Sequence, residues 1–338
     1  MKLGVTLPYA EGAMTRAEMV EFVQAADRLG YDTLWVPEAW TYDAFMLLAS
    51  MAELTERIKL GTSIVNVYSR TPALIGQSTA TLDALSGGRA VLGLGASGPQ
   101  VIEGWHGMQY SKPLQRTRET IEIVRMILRR ERLVYDGEVF QLGMGLKLIN
   151  HPLRPDVPMF VASLGPRNVA MTAELAEGWI PVLFSPERWR QVFGEAVDEG
   201  LAKRSSDLPP LEITPSVSIG ITDAPQAAAT IARFGLALYI GGMGSREHNF
   251  YNEVARRYGY VEEAAEIQDL FLSGDKGAAA ERVSDAMVDE FSVIGPEGYV
   301  KERLAAFKEA GCAGLLVSVI GMSQRQRLEA LEKIIALV

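Results

Sequence analysis

The chain has a single cysteine, Cys312, in 338 residues, which excludes an internal disulfide and any metal cluster built on cysteine. Cys312 lies in an apolar run and reads as a small core residue rather than a reactive thiol. Histidine is almost as scarce. His106, His151 and His248 are scattered, without a His-x-x-x-His pair or an acidic partner at metal spacing, so each reads as structural or superficial. Positive charge is in short supply: 42 acidic against 33 basic residues give a net charge of −9, with no basic run. That argues against a nucleic-acid surface and against an anionic-membrane patch. No apolar stretch approaches the roughly 18–20 residues of a membrane span. Met1-Lys2 leads directly into a strand without a signal peptide, so the expectation is a cytoplasmic protein. A Gly-x-Ser-x-Gly elbow and a Walker loop are missing, and Leu7-Pro8-Tyr9-Ala10 stands where a dinucleotide fingerprint would follow the first strand. Little conventional acid–base or nucleophilic machinery remains, which points to chemistry borrowed from an organic cofactor.

What is present is an alternation of strands and helices. Lys2–Leu7 reads as a strand, and Thr15-Arg16-Ala17-Glu18 as a capping box opening a helix whose apolar face is Met19, Phe22, Val23, Ala26 and Leu29, closed by Gly30. Further strands are expected at Thr33–Pro37, from Ile58, from Arg89 to Gly95, and at Val157–Ser163, Trp179–Leu183, Glu212–Ile219 and Gly314–Ile320, each followed by a helical pattern. Eight strand–helix units predict a closed parallel (β/α)8 TIM barrel, with an open doubly wound sheet as the alternative. One domain over 1–338 is expected, with a β-hairpin insertion near 134–149 around Asp136-Gly137 and a helical insertion near 241–289.

Ligands of parallel α/β proteins sit at the C-terminal strand ends, and three such ends carry signals. The third strand passes into Ser63-Ile64-Val65-Asn66, and the fourth ends in Gly95-Ala96-Ser97-Gly98, both poor in side chains. Such backbone lets a flat ligand lie close. The fifth ends in Ser163-Leu164-Gly165-Pro166-Arg167-Asn168, where the N–H groups of the next helix, its dipole and the Arg167 guanidinium converge on one spot suited to a phosphate. An ordinary strand-to-helix turn with an exposed arginine is the bland alternative. The second strand leads into Glu38, Trp40, Tyr42 and Phe45, a carboxylate among aromatics at the barrel mouth, which Trp105 and His106 could also line.

These segments resemble the bacterial luciferase-like flavin and deazaflavin oxidoreductases, and within them the branch using coenzyme F420 that includes methylene-tetrahydromethanopterin reductase. The matching residues are Lys59-Leu60-Gly61 through Asn66-Val67-Tyr68-Ser69-Arg70-Thr71-Pro72, Thr81-Leu82-Asp83-Ala84-Leu85-Ser86-Gly87-Gly88-Arg89, Gly93-Leu94-Gly95, Leu164-Gly165-Pro166 and Phe291-Ser292-Val293-Ile294-Gly295. The resemblance implies a (β/α)8 barrel with an insertion, a homodimer, and a non-prolyl cis peptide at Ser63-Ile64 behind the deazaflavin ring. Members oxidising sugar phosphates carry Asp-His after the second strand, where this chain has Glu38-Ala39; the pterin reductases carry a carboxylate in the first strand, where it has Thr6.

The resulting expectation is an F420-dependent oxidoreductase moving hydride between the deazaflavin C5 and a small organic substrate. Ser63, Ile64 and Asn66 back the ring, Gly95 and Ala96 meet its edge, and Ser163, Leu164, Gly165, Pro166, Arg167 and Asn168 hold the tail phosphate. The substrate rests on Trp40 and Tyr68, with Glu38 orienting ring or substrate. A mouth without an obvious histidine base suits reduction better than alcohol oxidation. An FMN-dependent monooxygenase and a cofactor-binding barrel without turnover are the alternatives.

Overall fold

Strands and helices alternate through the computed structural model, which describes residues 1–8, 14–321 and 323–338. Tyr9 and Ala10, named above in the loop after the first strand, lie outside the described residues. The strands are β1 (Lys2–Thr6), β2 (Thr33–Val36), β3 (Lys59–Thr62), β4 (Val65–Asn66), β5 (Ala90–Gly95), β6 (Tyr135–Asp136), β7 (Gln141–Leu142), β8 (Met159–Ala162), β9 (Gly178–Trp179), β10 (Glu212–Ile213), β11 (Ser216–Ile221), β12 (Ser292–Gly295) and β13 (Gly314–Val319). Apart from the antiparallel β6–β7 pair, they join into one parallel sheet in the order β10-β9-β8-β5-β3-β2-β1-β13-β11-β12, with β4 beside β5.

The ring closes within one stretch of chain. β10 pairs with β9 and β11 with β13, and only Thr214 and Pro215 separate β10 from β11. Pro215 has no N–H to give, so the ladder breaks there. Thr214 N–H still reaches the Trp179 carbonyl (2.9 Å), Ser216 N–H that of Pro181 (2.8 Å), and Leu316 N–H that of Pro215 (2.9 Å). The curled sheet is the expected (β/α)8 barrel.

Aromatic side chains and missing ones fill its interior together. Trp35, Val91, Phe160, Ile180 and Leu316 form a buried cluster, with Trp35 edge-on to Phe160 at 5.4 Å. A Cβ on Gly4 or on Gly61 would lie 2.5 Å from the Trp35 indole. Glycine on the flanking strands is therefore what lets a tryptophan occupy the barrel.

The helices are α1 (Arg16–Leu29), α2 (Ala44–Ala52), α3 (Pro72–Leu85), α4 (Pro99–Gly104), α5 (Pro113–Leu128), α6 (Pro166–Leu175), α7 (Glu195–Lys203), α8 (Gln226–Ala237), α9 (Phe250–Arg257), α10 (Val261–Leu272), α11 (Lys276–Glu281), α12 (Asp285–Phe291), α13 (Glu297–Glu309) and α14 (Gln324–Ala336). The Thr15–Glu18 capping box forms, with Thr15 N–H donating to Glu18 Oε2 at 2.7 Å, and Gly30 ends α1 at φ 87°. Cys312 is buried, and burial pushes its thiol up to about 12.

The structure amends the sequence reading at several points, and the sixth strand, expected at Trp179–Leu183, is only Gly178–Trp179. The seventh strand is split at Pro215 and runs on to Ile221. β12, read only as a family motif, is a strand paired in parallel with β11 at the end of the sheet order. The helical excursion begins at Gln226 and ends at Phe291, wider than the expected 241–289. The hairpin near 134–149 is present as β6–β7, and the buried Glu119 of α5 ties it down. The Glu119 carboxylate accepts the N–H groups of Glu138 (2.8 Å), Val139 (3.1 Å) and Phe140 (2.8 Å), and a Cβ on Gly137 would sit 2.4 Å from its Oε2. Burial alone would raise the Glu119 carboxyl; the hydrogen bonds from Gln115 and these three N–H groups outweigh it and hold it below the usual range.

Candidate functional site

At the C-terminal ends of β3, β4 and β5 the backbone itself makes the surface. The chain leaves β3 at Thr62, bulges through Ser63 and Ile64, and rejoins the sheet as β4. Thr62 pins this bulge to β5: its Oγ1 donates to the Gly93 carbonyl and accepts the Gly93 N–H, both at 2.8 Å. The Ser63-Ile64 peptide is cis, as the resemblance implies. A Cβ on Gly93 would lie 1.9 Å from the Thr62 carbonyl oxygen, and one on Gly95 would lie 3.0 Å from the Ile64 side chain. These glycines make room first for the bulge. Their flatness, read in the sequence as room for a ligand, is what seats Ile64 over β5.

Asn66 is fully buried and closes the next turn. Its Oδ1 accepts the N–H groups of Tyr68 (3.0 Å) and Ser69 (2.7 Å), and its Nδ2 lies 3.3 Å from His106 Nε2. Because Oδ1 is committed to two donors, Nδ2 is the donor to the imidazole. Nε2 therefore accepts, and a neutral His106 carries its proton on Nδ1. The sequence reading offers His106 as a structural or superficial residue that could line the mouth, and gives it no partner. Its link to Asn66 spans 40 positions, a separation that no local pattern encodes.

Two expected roles meet different surroundings. Glu38 is an internal counter-charge. Both its oxygens take Arg70, and Oε2 also accepts the Ala44 N–H (2.9 Å) at the start of α2, while Arg70 bridges onward to Asp43. Tyr68, expected beneath the substrate, is only 5% exposed. Its hydroxyl donates to the Ser111 carbonyl (2.8 Å), Tyr110 stacks on it at 5.2 Å, and burial raises the phenol to about 12. It is a packed side chain with little surface to offer. Trp40 is 50% exposed, and Tyr42, Trp105 and Met108 are exposed as well.

β8 leads into the start of α6. Ser163 is buried, its Oγ 2.9 Å from Thr172 Oγ1 and its carbonyl accepting Trp179 Nε1–H at 3.0 Å, so it fixes the strand end from inside. Gly165 is the N-cap, with no side chain capping the helix, followed by Pro166. Leu164 packs against the core, and Arg167 is exposed. Asn168 Oδ1 is buried without a partner among the described residues, as are Thr6 Oγ1 at the end of β1 and Ser69 Oγ beyond β4. The start of α6 thus carries free helix N–H groups, an exposed arginine and one unpartnered amide oxygen. A cavity of about 140 Å³ opens at the opposite pole, beside the strand starts and the ion pairs Lys2–Glu212 and Lys59–Asp32. That face of a barrel serves stability.

Comparison with known proteins agrees with this architecture. A Mycobacterium tuberculosis protein, provisionally named as a coenzyme F420-dependent oxidoreductase, is 42% identical over 98% of this chain and 99% of its own length. The 5,10-methylenetetrahydromethanopterin reductase of Archaeoglobus fulgidus is 30% identical over 94% of both chains. Among solved structures, the coenzyme F420-dependent tetrahydromethanopterin reductase of Methanopyrus kandleri superposes with a TM-score of 0.83 at 23% identity, covering 100% of this chain and 98% of that one. The family described as luciferase-like monooxygenase matches residues 1–314, and this chain belongs to it.

Proposed function

We propose that this protein is an F420-dependent oxidoreductase that moves a hydride between the deazaflavin and a small organic substrate held in the barrel mouth. The start of α6 carries the reading. An uncapped helix N-terminus, the exposed Arg167 and the unpartnered Asn168 Oδ1 together fit one phosphate and a neighbouring hydroxyl donor. The name of the 42% identical relative supports the same cofactor.

The bound cofactor would supply a ring carbon that gives or takes two electrons as hydride. The residues of this chain orient and shield it. The Thr62–Ile64 bulge, locked to Gly93, backs the ring, with Gly95 and Ala96 along its edge. Leu164, Gly165 and Pro166 shape the turn that leads the tail to Arg167 and Asn168. Asn66 fixes the imidazole of His106 so that Nδ1–H is its available donor. Glu38, through Arg70 and the start of α2, positions the loop that bears Trp40, and the exposed aromatics exclude water from the reacting atoms. A mouth whose carboxylate is ion-paired suits reduction of a polarised C=C, C=N or C=O bond, with the proton drawn from solvent and the Nδ1–H of His106 available as a hydrogen-bond donor. The same reading makes the protein a cytoplasmic homodimer, which light scattering of the purified protein tests.

The deciding experiment is a titration of cofactor-free protein with F420 and with FMN, followed by anaerobic mixing of the reduced complex with an activated alkene or imine. F420 should bind in the micromolar range or tighter, about −8 kcal/mol, and be reoxidised by the substrate without oxygen. Tight FMN binding with an oxygen requirement would make the protein a monooxygenase instead.

A further inference from the structure

Among the described residues, Arg116 is the one arginine of α5 without a counter-charge. On the same helix Arg118 pairs with Glu174 (2.6 Å) and Arg125 with Glu177 (2.8 Å). Arg116 has no ion pair among the described residues; its guanidinium hydrogen-bonds the Tyr68 side chain, and its Nε is buried without an acceptor. Its guanidinium carbon instead lies 4.7 Å from the Tyr68 ring centroid and 5.1 Å from that of Phe140. Two features make this placement adverse for stability alone. A cation in the first turn of a helix faces the positive end of the dipole, and a half-buried guanidinium with an orphaned N–H loses hydration without replacing it. The aromatic contacts offset part of that cost.

The surroundings say what the charge faces. Tyr68 stands two residues beyond Asn66, and its hydroxyl is fixed to Ser111, just before α5. Phe140 arrives on the hairpin loop that Glu119 grips by three N–H groups. Both rings are thus held by separate structural devices. The guanidinium of Arg116 has a neutral hydroxyl partner in Tyr68 but no carboxylate among the described residues. Nearby Arg70 is satisfied by Glu38 and Asp43. Lys112 is likewise paired, with Glu138 (2.6 Å), and Trp105 and Met108 are exposed. A flat cation packed on two aromatic rings and lacking a counter-charge matches a planar carboxylate on an apolar body.

We propose that Arg116 is the substrate-recognition cation of this site and that the substrate class is an organic acid whose carboxylate docks bidentately on its terminal nitrogens. This rests on the hydride-transfer reading and names the substrate class for it. The test uses the F420-loaded protein, titrated with cinnamate and with its neutral isostere cinnamamide while the deazaflavin absorption spectrum is recorded. Cinnamate should bind saturably and at least tenfold tighter than the amide. Arg116→Met should bring cinnamate down to the level of the amide, leaving amide affinity and F420 affinity unchanged, and Arg116→Lys should fall between. Equal affinity for acid and amide, no binding of either, or an equal loss of F420 in Arg116→Met would overturn the proposal. If Arg116→Met fails to fold, Arg116→Lys decides: an unchanged acid-to-amide ratio counts against the bidentate dock. Thermal shift of cofactor-free protein with the same two probes separates the two readings, since a preference for the acid in a protein that binds no F420 would keep the Arg116 assignment and overturn the cofactor.

Discussion

Replacing Arg167 by methionine separates a phosphate site from an ordinary helix start. Arg167 is exposed at the first turn of α6 and makes no hydrogen bond or ion pair with a described residue. Its loss should therefore leave folding stability within about 0.5 kcal/mol of wild type, as for surface changes generally. Binding is another matter. A charge-assisted hydrogen bond to phosphate contributes about 1.5–3 kcal/mol, so the F420 dissociation constant should rise roughly 10- to 150-fold. The free N–H groups of the first turn remain, which is why binding should weaken and not vanish. Quenching of deazaflavin fluorescence reads the affinity directly, and a deazaflavin lacking the phosphate is the control. That analogue should bind wild type and Arg167→Met alike. Equal losses for both ligands would make Arg167 a structural residue and remove the phosphate from α6.

Three further perturbations probe the supports of the site. Gly93→Ala drives a methyl into the Thr62 carbonyl; it should cost about 1–3 kcal/mol of stability and weaken F420 binding at least tenfold, read by thermal melting and titration. Glu38→Gln removes one partner of Arg70 while Asp43 stays; stability should fall by about 1–3 kcal/mol, with the pH profile of turnover unchanged, whereas loss of one limb of that profile would make Glu38 a proton carrier. Glu119→Gln leaves three hairpin N–H groups competing for one carbonyl oxygen, for about 2–4 kcal/mol at neutral pH by urea denaturation. The Glu119 carboxyl is held below its ordinary value of 4.5, so its contribution is present above that value and is lost as pH falls through the lowered folded value. The gap between wild type and Glu119→Gln should therefore close in acid; a gap that persists there would refute the carboxylate's role.

Much of the barrel was legible because its signals are local. Thr15, Glu18 and Gly30 announce α1 within the helix itself, and alternating apolar runs and caps mark the other units. The split at Pro215 was visible as a proline but not as a ring closure, since that depends on which strands β10 and β11 each face. β12 escaped because four residues between helices carry no periodicity. At the site, the composition of the loops marked the right strand ends, while the partners of their side chains stayed hidden. Glu38 reads as a mouth carboxylate until Arg70, 32 residues on, is seen to claim it. Tyr68 reads as a platform until Tyr110 and Arg116 are seen to cover it.

That division between local and distant information also separates what is general in this site from what is particular. The ledge of β5, the bulge held by Thr62 and the turn into α6 are built from backbone and small residues. Their demands are steric: a methyl on Gly93 would meet a carbonyl oxygen at 1.9 Å whatever ligand were bound. Any member of the family with this backbone can offer the same cradle to a flat ring. The rim is different. Phe140 reaches Arg116 only because Glu119 anchors an inserted hairpin, and His106 presents Nδ1–H only because Asn66 is already occupied by two backbone donors. These contacts join segments far apart in the chain, and they can change without disturbing the cradle. Selectivity for the second reactant should accordingly follow changes at Arg116, Phe140 and the exposed aromatics, while cofactor affinity follows changes at Gly93, Arg167 and Asn168.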